Sequence, residues 1–205
     1  MSRTAPLYST THPTPVGELT LIASDRGLRA ILWPKETSQN AGIAARTLRN
    51  PDHPVLRQAS TQLDEYFAGT RERFELPLDL EGTRFQLAAW RALADIPFGA
   101  TTSYGQQARA LGAPTAARAM GAANRANPVC IVLPCHRVIG ANGALTGFAG
   151  GLPTKQWLLD HEARVAGKLT LPLGERAGVG TARSIEPAPW SARQPMQQRW
   201  FTPEG

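Results

Sequence analysis

Cysteine is scarce in this chain: 205 residues carry two, Cys130 and Cys135. Two thiols cannot form the disulfide framework of a small secreted domain, and the four histidines (His12, His53, His136, His161) stand at no zinc-type spacing from them. The sequence therefore points to no metal. Long apolar runs are missing too. No segment reaches membrane-spanning length, and the opening Met1-Ser-Arg-Thr-Ala-Pro6 has no apolar signal core. The expectation is a cytoplasmic protein with no membrane partner, in a compartment where thiols stay reduced. Acidic side chains are fewer than basic ones, 16 against 22, giving a net charge of +6. That balance fits an anionic partner, most simply nucleic acid, but charge alone does not single one out. No internal repeat is visible.

What is present reads as two domains and a tail. Residues 18–24 alternate through Leu19, Leu21 and Ala23, Asp25-Arg26-Gly27 supplies a turn, and residues 28–33 continue apolar, which predicts a β-hairpin. Val55, Ala59, Leu63 and Tyr66/Phe67 share one helical face, and Gly69 stops that helix. Phe74, Leu76, Leu78 and Leu80 alternate like a strand. Residues 1–81 are thus expected to form a small α+β domain, an antiparallel sheet plus a helix, without a catalytic constellation. Thr83 and Gln86 form a capping-box pair opening a helix over 84–94, and Ser103 and Gln106 form a second, opening a helix to about Ala110. Gly112 follows, Pro114 suits a first helical turn, and residues 115–123 are alanine-rich. Two short helices around a glycine turn suggest a helix-turn-helix, and a plain αα-hairpin is the commoner alternative. The small side chains of the second helix, with Arg118 and Arg125 nearby, favour DNA. Residues 128–133 read as a buried strand. Thr154 is placed as the cap of a helix over 155–165. Beyond about Gly167 the periodicity ends, and residues 168–205, rich in proline, are expected to be a disordered tail that leaves Trp190, Trp200 and Phe201 unassigned.

The chemistry concentrates in Pro134-Cys135-His136-Arg137-Val138. A thiolate reacts where a thiol hardly does, so a nucleophilic cysteine needs a base or a positive field. His136 is adjacent, and Glu162 on the last helix could orient it. Cys130 reads as a small core hydrophobe, and odd spacing on one strand would turn the two thiols to opposite faces, sharing neither a bond nor a metal. The plainer readings are a core histidine for His136, a solvated helix face for Glu162 and carbonyl binding for Arg137.

Pro134-Cys-His-Arg-Val138, the Asn127-Pro128 before it, and Gly150-Gly151 ahead of Lys155-Gln-Trp-Leu-Leu-Asp-His-Glu162 together resemble the O6-alkylguanine-DNA alkyltransferases, the bacterial Ogt-type enzymes above all. The resemblance covers residues 83–166 strongly and the N-terminal part loosely. It implies that Cys135 is the alkyl acceptor, that His136 is its base through a water, and that Glu162 orients the imidazole. It implies further that Tyr104 pushes the target phosphate and protonates the departing guanine. Arg125 is similar to the finger that fills the gap of an extruded base, and Asn127 to the hinge between recognition helix and active-site strand. Thr115 and Arg118 are the further DNA-contact candidates. Phe148, Ala149 and Gly150 would line the substrate pocket. Here the chain departs from the family: many members have Tyr-Ser or Tyr-Ala where Phe148-Ala149 stands, so contacts to the alkylated oxygen fall to backbone amides or Tyr104.

The expected architecture is α+β, with a mostly helical, winged helix-turn-helix-like DNA-binding and catalytic domain over 82–167. The expected function is direct reversal of O6-alkylguanine, and O4-alkylthymine, in double-stranded DNA by a monomer that reacts once and uses no cofactor. A non-enzymatic binder of alkylated DNA would lack the acceptor, which Cys135 argues against. A helix-turn-helix regulator would want a further DNA-binding domain, and a cysteine hydrolase would want an oxyanion hole that no segment announces.

Overall fold

Alternation and turn chemistry build the first half. The computed structural model describes residues 5–34, 43 and 46–167; the expected tail over 168–205, with its tryptophans, lies outside them. Strands β1 (Leu7–Thr14), β2 (Gly17–Ser24) and β3 (Gly27–Leu32) form antiparallel neighbours, and a short β4 (Thr47–Arg49) joins β1 in parallel. The sheet order is β3-β2-β1-β4. The predicted hairpin is β2–β3; β1 went unread because Tyr8-Ser-Thr-Thr-His12 offers the eye no apolar alternation.

Helix α1 (Pro54–Phe67) begins on a proline, which needs no backbone partner there, and turns Val55, Leu56, Ala59, Leu63 and Tyr66 onto the sheet. Gly69 ends it at φ +77, and a Cβ at that position would come within 2.8 Å of the Val165 side chain. The expected strand over 74–80 is not one. Its backbone pairs with the sheet at a single bridge, Leu28 with Leu78, because Pro77 has no N–H to extend the ladder. The segment is held instead by the Gln62 carboxamide, which grips the Glu75 backbone at both its N–H (2.7 Å) and its carbonyl (2.9 Å).

The second half is mostly helical. Helices α2 (Arg84–Leu93) and α3 (Tyr104–Ala110) both carry the complete capping boxes expected from Thr83/Gln86 and Ser103/Gln106. Helix α4 (Ala117–Arg125) starts at the uncapped Ala116, so Pro114 lies in the preceding turn and not in the first helical turn. Between α2, α3 and α4 sits a small core of Ala89, Ala108, Met120 and Ala123. A two-stranded parallel sheet, β5 (Thr102–Ser103) with β6 (Val138–Ile139), ties the start of α3 to the chain after Cys135. Helix α5 (Leu152–Val165) begins at Gly151 with Pro153 in its first turn, so Thr154 lies inside it and is not its cap.

One buried cluster joins Leu19, Leu21, Leu28, Ile31, Leu56, Leu63 and Tyr66 to Trp90, Leu93, Val129, Ile131, Cys135, Val138 and Leu158. The candidate nucleophile therefore belongs to the main core. A backbone bond from the Ile31 N–H to the Pro128 carbonyl (2.8 Å) docks its loop on β3. No helix among the described residues is long and apolar enough to cross a membrane.

Candidate active site and DNA-binding face

The apolar run over 128–133 is buried as expected, yet it is a tight turn and not a strand. The Asn127 carboxamide closes it, donating to the Leu133 carbonyl (2.7 Å) and accepting from the Val129 N–H (3.1 Å). The Leu133 N–H returns to the Val129 carbonyl at 3.0 Å. Ile131 takes φ +76, a conformation that costs a β-branched residue roughly 1–3 kcal/mol and persists only where packing enforces it. The turn folds the chain back on itself and overturns the expectation of opposed thiols: Cys130 Sγ and Cys135 Sγ lie 3.6 Å apart.

A 3-10 turn, Cys135–Arg137, then presents three buried side chains in succession. His136 Nε2 meets Glu162 Oε1 at 2.7 Å, and its Nδ1 has no hydrogen-bond partner among the described residues. The tautomer that satisfies this network carries its proton on Nε2, donating to Glu162, and leaves Nδ1 as the acceptor. Glu162 is fully buried and takes four more donors. Arg137 Nε (2.9 Å) and Gly99 N–H (3.0 Å) reach Oε2; Arg137 Nη2 (3.0 Å) and the Tyr66 hydroxyl (2.9 Å) reach Oε1. Arg137 Nη1 also donates to the Ile96 carbonyl (2.6 Å), so the expected carbonyl binding is only part of its bonding.

Burial alone would push Glu162 up, but His136 and Arg137 outweigh it and hold the carboxyl well below its ordinary range. Burial lowers His136, against the pull of Glu162 in the other direction. Cys135 is lowered, first by the Cys130 thiol, with burial opposing and with Asn127 and Lys155 assisting. Lys155 is fully buried on α5, its Nζ donating to the Val138 (2.6 Å) and Thr146 (2.9 Å) carbonyls. Burial brings it down to about 8, while the charge of Cys135 pulls it back up. The arrangement can hold a thiolate: Cys135 is buried, a neutral imidazole follows it in the chain, and the Lys155 charge acts on the sulfur.

Tyr104 opens α3 with its ring 5.9 Å below the Lys155 ammonium and against Gly121 of α4, where a Cβ would make ordinary contact. Its hydroxyl donates to the Thr146 carbonyl at 3.3 Å, and burial is the main reason its proton is held more tightly than usual. Phe148 stands edge-on to Trp33 (5.4 Å between centroids) and to His136 (6.5 Å). Ala149 is half-buried beside it, and a Cβ on Gly150 would press within 2.8 Å of the Trp33 indole. Arg118 and Arg125 are exposed on α4 and Thr115 in the turn before it, with the Arg125 guanidinium lying against Gly147.

The structure thus brings Cys135, His136, Glu162, Tyr104, Asn127 and Phe148 into one neighbourhood, and exposes Arg118 and Arg125 on α4 and Thr115 in the turn that precedes it. Sequence reasoning missed Lys155, Tyr66 and Trp33. Lys155 carried a signal, since it shares the i, i+3, i+4, i+7 face of Leu158, Leu159 and Glu162. Tyr66 and Trp33 come from the N-terminal half, and no local pattern marks them as neighbours of the site.

Residues 84–164 match the model of the 6-O-methylguanine DNA methyltransferase DNA-binding domain, and residues 7–80 that of the ribonuclease-like domain of the same proteins. A methylated-DNA--protein-cysteine methyltransferase of Mycobacterium tuberculosis is 44% identical over 166 residues, covering 80% of this chain and 98% of its own length. One of Methanosarcina acetivorans is 42% identical over 161 residues, covering 76% and 98%. Among solved structures, the M. tuberculosis O6-methylguanine methyltransferase superposes with a TM-score of 0.70 at 40% identity, covering 82% of this chain and 96% of that one. The M. tuberculosis OGT in complex with DNA gives 0.68 at 45% identity, covering 77% and 94%.

Proposed function

The chain belongs to the 6-O-methylguanine DNA methyltransferase family, and from that premise we propose that it repairs O6-alkylguanine in double-stranded DNA by moving the alkyl group to Cys135. The observation that carries this reading is the buried Cys135 on one turn with His136, whose Nε2 is locked to Glu162 at 2.7 Å and whose Nδ1 stays available. Nδ1 takes the Cys135 proton through a water, and the ionised Glu162 stabilises the imidazolium that results. Lys155 adds a positive field at the sulfur. An alkyl group on a stacked guanine is out of reach, so the nucleotide must leave the helix. Arg125, exposed at the end of α4, fills the gap, and Thr115 and Arg118 contact the backbone.

The thiolate then attacks the alkyl carbon in line. The S–C bond forms as the C–O6 bond breaks, the electron pair passes to the purine, and Tyr104, protonated at neutral pH, supplies a proton to it. Phe148 and Ala149 wall the pocket, and the Asn127 carboxamide fixes the turn that carries the nucleophile. The product is a thioether that no group here could cleave, so one protein molecule removes one lesion, acting as a monomer. O4-alkylthymine presents the same alkyl–oxygen bond. The test is stoichiometry: with excess O6-methylguanine duplex, repaired sites should plateau at one per protein, and Cys135→Ser should bind the duplex and repair none. Continued turnover, or repair by the serine variant, would overturn the proposal.

A further inference from the structure

Cys130 has no part in the chemistry above, yet its sulfur is the atom the structure sets against the nucleophile. It is 2% exposed, with Sγ 3.6 Å from Cys135 Sγ and 3.5 Å from the Asn127 carbonyl oxygen. A thiol has one proton to donate and here faces two acceptors. We propose that Cys130 is a positioning residue for alkyl transfer, its S–H swinging from the Asn127 carbonyl to the Cys135 sulfur when that sulfur ionises. The proposal rests on Cys135 being the acceptor.

A buried sulfur anion has lost the water that would solvate it and needs donors in its place. The Asn127 carboxamide and the local backbone meet part of that need, but less than Cys130 does, and the other ionisable groups around Cys135 add no direct bond to it. Lys155 on α5 acts on the sulfur through its field alone, while two of its three N–H groups hold the Val138 and Thr146 carbonyls. Tyr104 on α3 is turned to Thr146. His136 follows Cys135 in the chain and is tied at Nε2 to Glu162, which also holds Arg137. Cys130 reaches the sulfur from the same loop. S–H is a weak donor to neutral oxygen but a better one to an anion, since charge on the acceptor strengthens the bond. The direction agrees with the lowered Cys135 thiol, for which Cys130 is the leading cause. The turn also gains a reason: without the positive φ at Ile131, a strand over 128–133 would carry the two sulfurs apart.

The experiment compares the parent with Cys130→Ala, Cys130→Val and Cys130→Ser, under reductant throughout. Two pH profiles are measured: alkylation of Cys135 by iodoacetamide, followed by peptide mass, and single-turnover methyl transfer from an O6-methylguanine duplex. Cys130→Ala should raise the midpoint of Cys135 ionisation by about one pH unit and slow both reactions up to about tenfold at neutral pH. Cys130→Val, which fills the space, should do the same. Cys130→Ser keeps a donor and should restore most of the shift. Mere loss of packing would lower reaction amplitude and leave the midpoint in place. An unmoved midpoint in the alanine and valine proteins, or equal shifts in all three, would overturn the role of Cys130. If the parent's Cys135 ionises low and depends on Cys130 yet takes no methyl from DNA, the repair reading fails, and the alkyl-transfer role of Cys130 fails with it, leaving only its hold on the Cys135 ionisation.

Discussion

Removing one oxygen from the N-terminal half should be felt in the active site. The Tyr66 hydroxyl, fully buried on α1, donates to Glu162 Oε1 at 2.9 Å. In Tyr66→Phe that oxygen still accepts from His136 and from Arg137 Nη2, so no buried charge is left alone. What is lost is one hydrogen bond to a charged group, about 1.5–3 kcal/mol, less the desolvation of a hydroxyl that no longer has to be buried. A net cost of about 1–2 kcal/mol corresponds to roughly 2–8 °C in a body of this size. Glu162→Gln, which strips the partner from a buried guanidinium, should cost more, about 3–5 kcal/mol. The pH dependence has a definite sign. Glu162 is held below its ordinary range in the fold, so its contribution is complete above about pH 4.3 and fades as pH falls from there. Burial and then Glu162 hold the Tyr66 proton, so the parent also loses stability above about pH 10, where phenylalanine cannot ionise. The gap between the two melting temperatures should therefore be widest near neutrality and close at both extremes. Thermal unfolding across pH, with single-turnover transfer slowed less than about tenfold, checks it. An unchanged melting temperature at pH 7, or a loss as large as that of Glu162→Gln, would refute the reasoning.

Lys155→Met removes the buried charge beside Cys135 and should slow transfer at least about tenfold at neutral pH. Because the Lys155 ammonium titrates at about 8, the parent's rate should level off or fall above that pH, and the pH–rate profile of the variant should lack that limb. Arg125→Ala should impair repair in duplex more than transfer from the free base, since a propping side chain matters only in a stack that costs a few kcal/mol to open; equal losses in the two rates would remove the finger role. Phe148→Tyr adds one donor at the pocket wall and should change the single-turnover rate by no more than about tenfold. Phe148→Ala should slow transfer by opening the contact with Trp33, and an unchanged rate would show that Phe148 is not a wall of the site.

The sequence was most legible where local chemistry decides structure. Both capping boxes, the β2–β3 turn and the α1 stop at Gly69 depend on residues three or four apart, and each stands where the pattern puts it. Patterns failed where a tertiary partner outcompeted the local preference. Residues 74–80 alternate like a strand, but Gln62 takes the Glu75 backbone and Pro77 withholds a donor. Residues 128–133 are as apolar as a strand, but the Asn127 carboxamide folds them into a turn. The motif around Cys135 named the candidate reacting groups and the face of α5 carried a signal for Lys155, while Tyr66 could be found only in three dimensions. Tyr66 reaches Glu162 across 96 positions of chain, farther than any periodicity extends.

The central claim is that Cys135 receives the alkyl group, and peptide mapping by mass after exposure to an O6-methylguanine duplex tests it most directly. The account predicts a single methyl on the peptide containing Cys130 and Cys135, fragmenting to Cys135, with the matching strand restored to guanine. A methyl on Cys130, or guanine restored with no methyl on the protein, would contradict it.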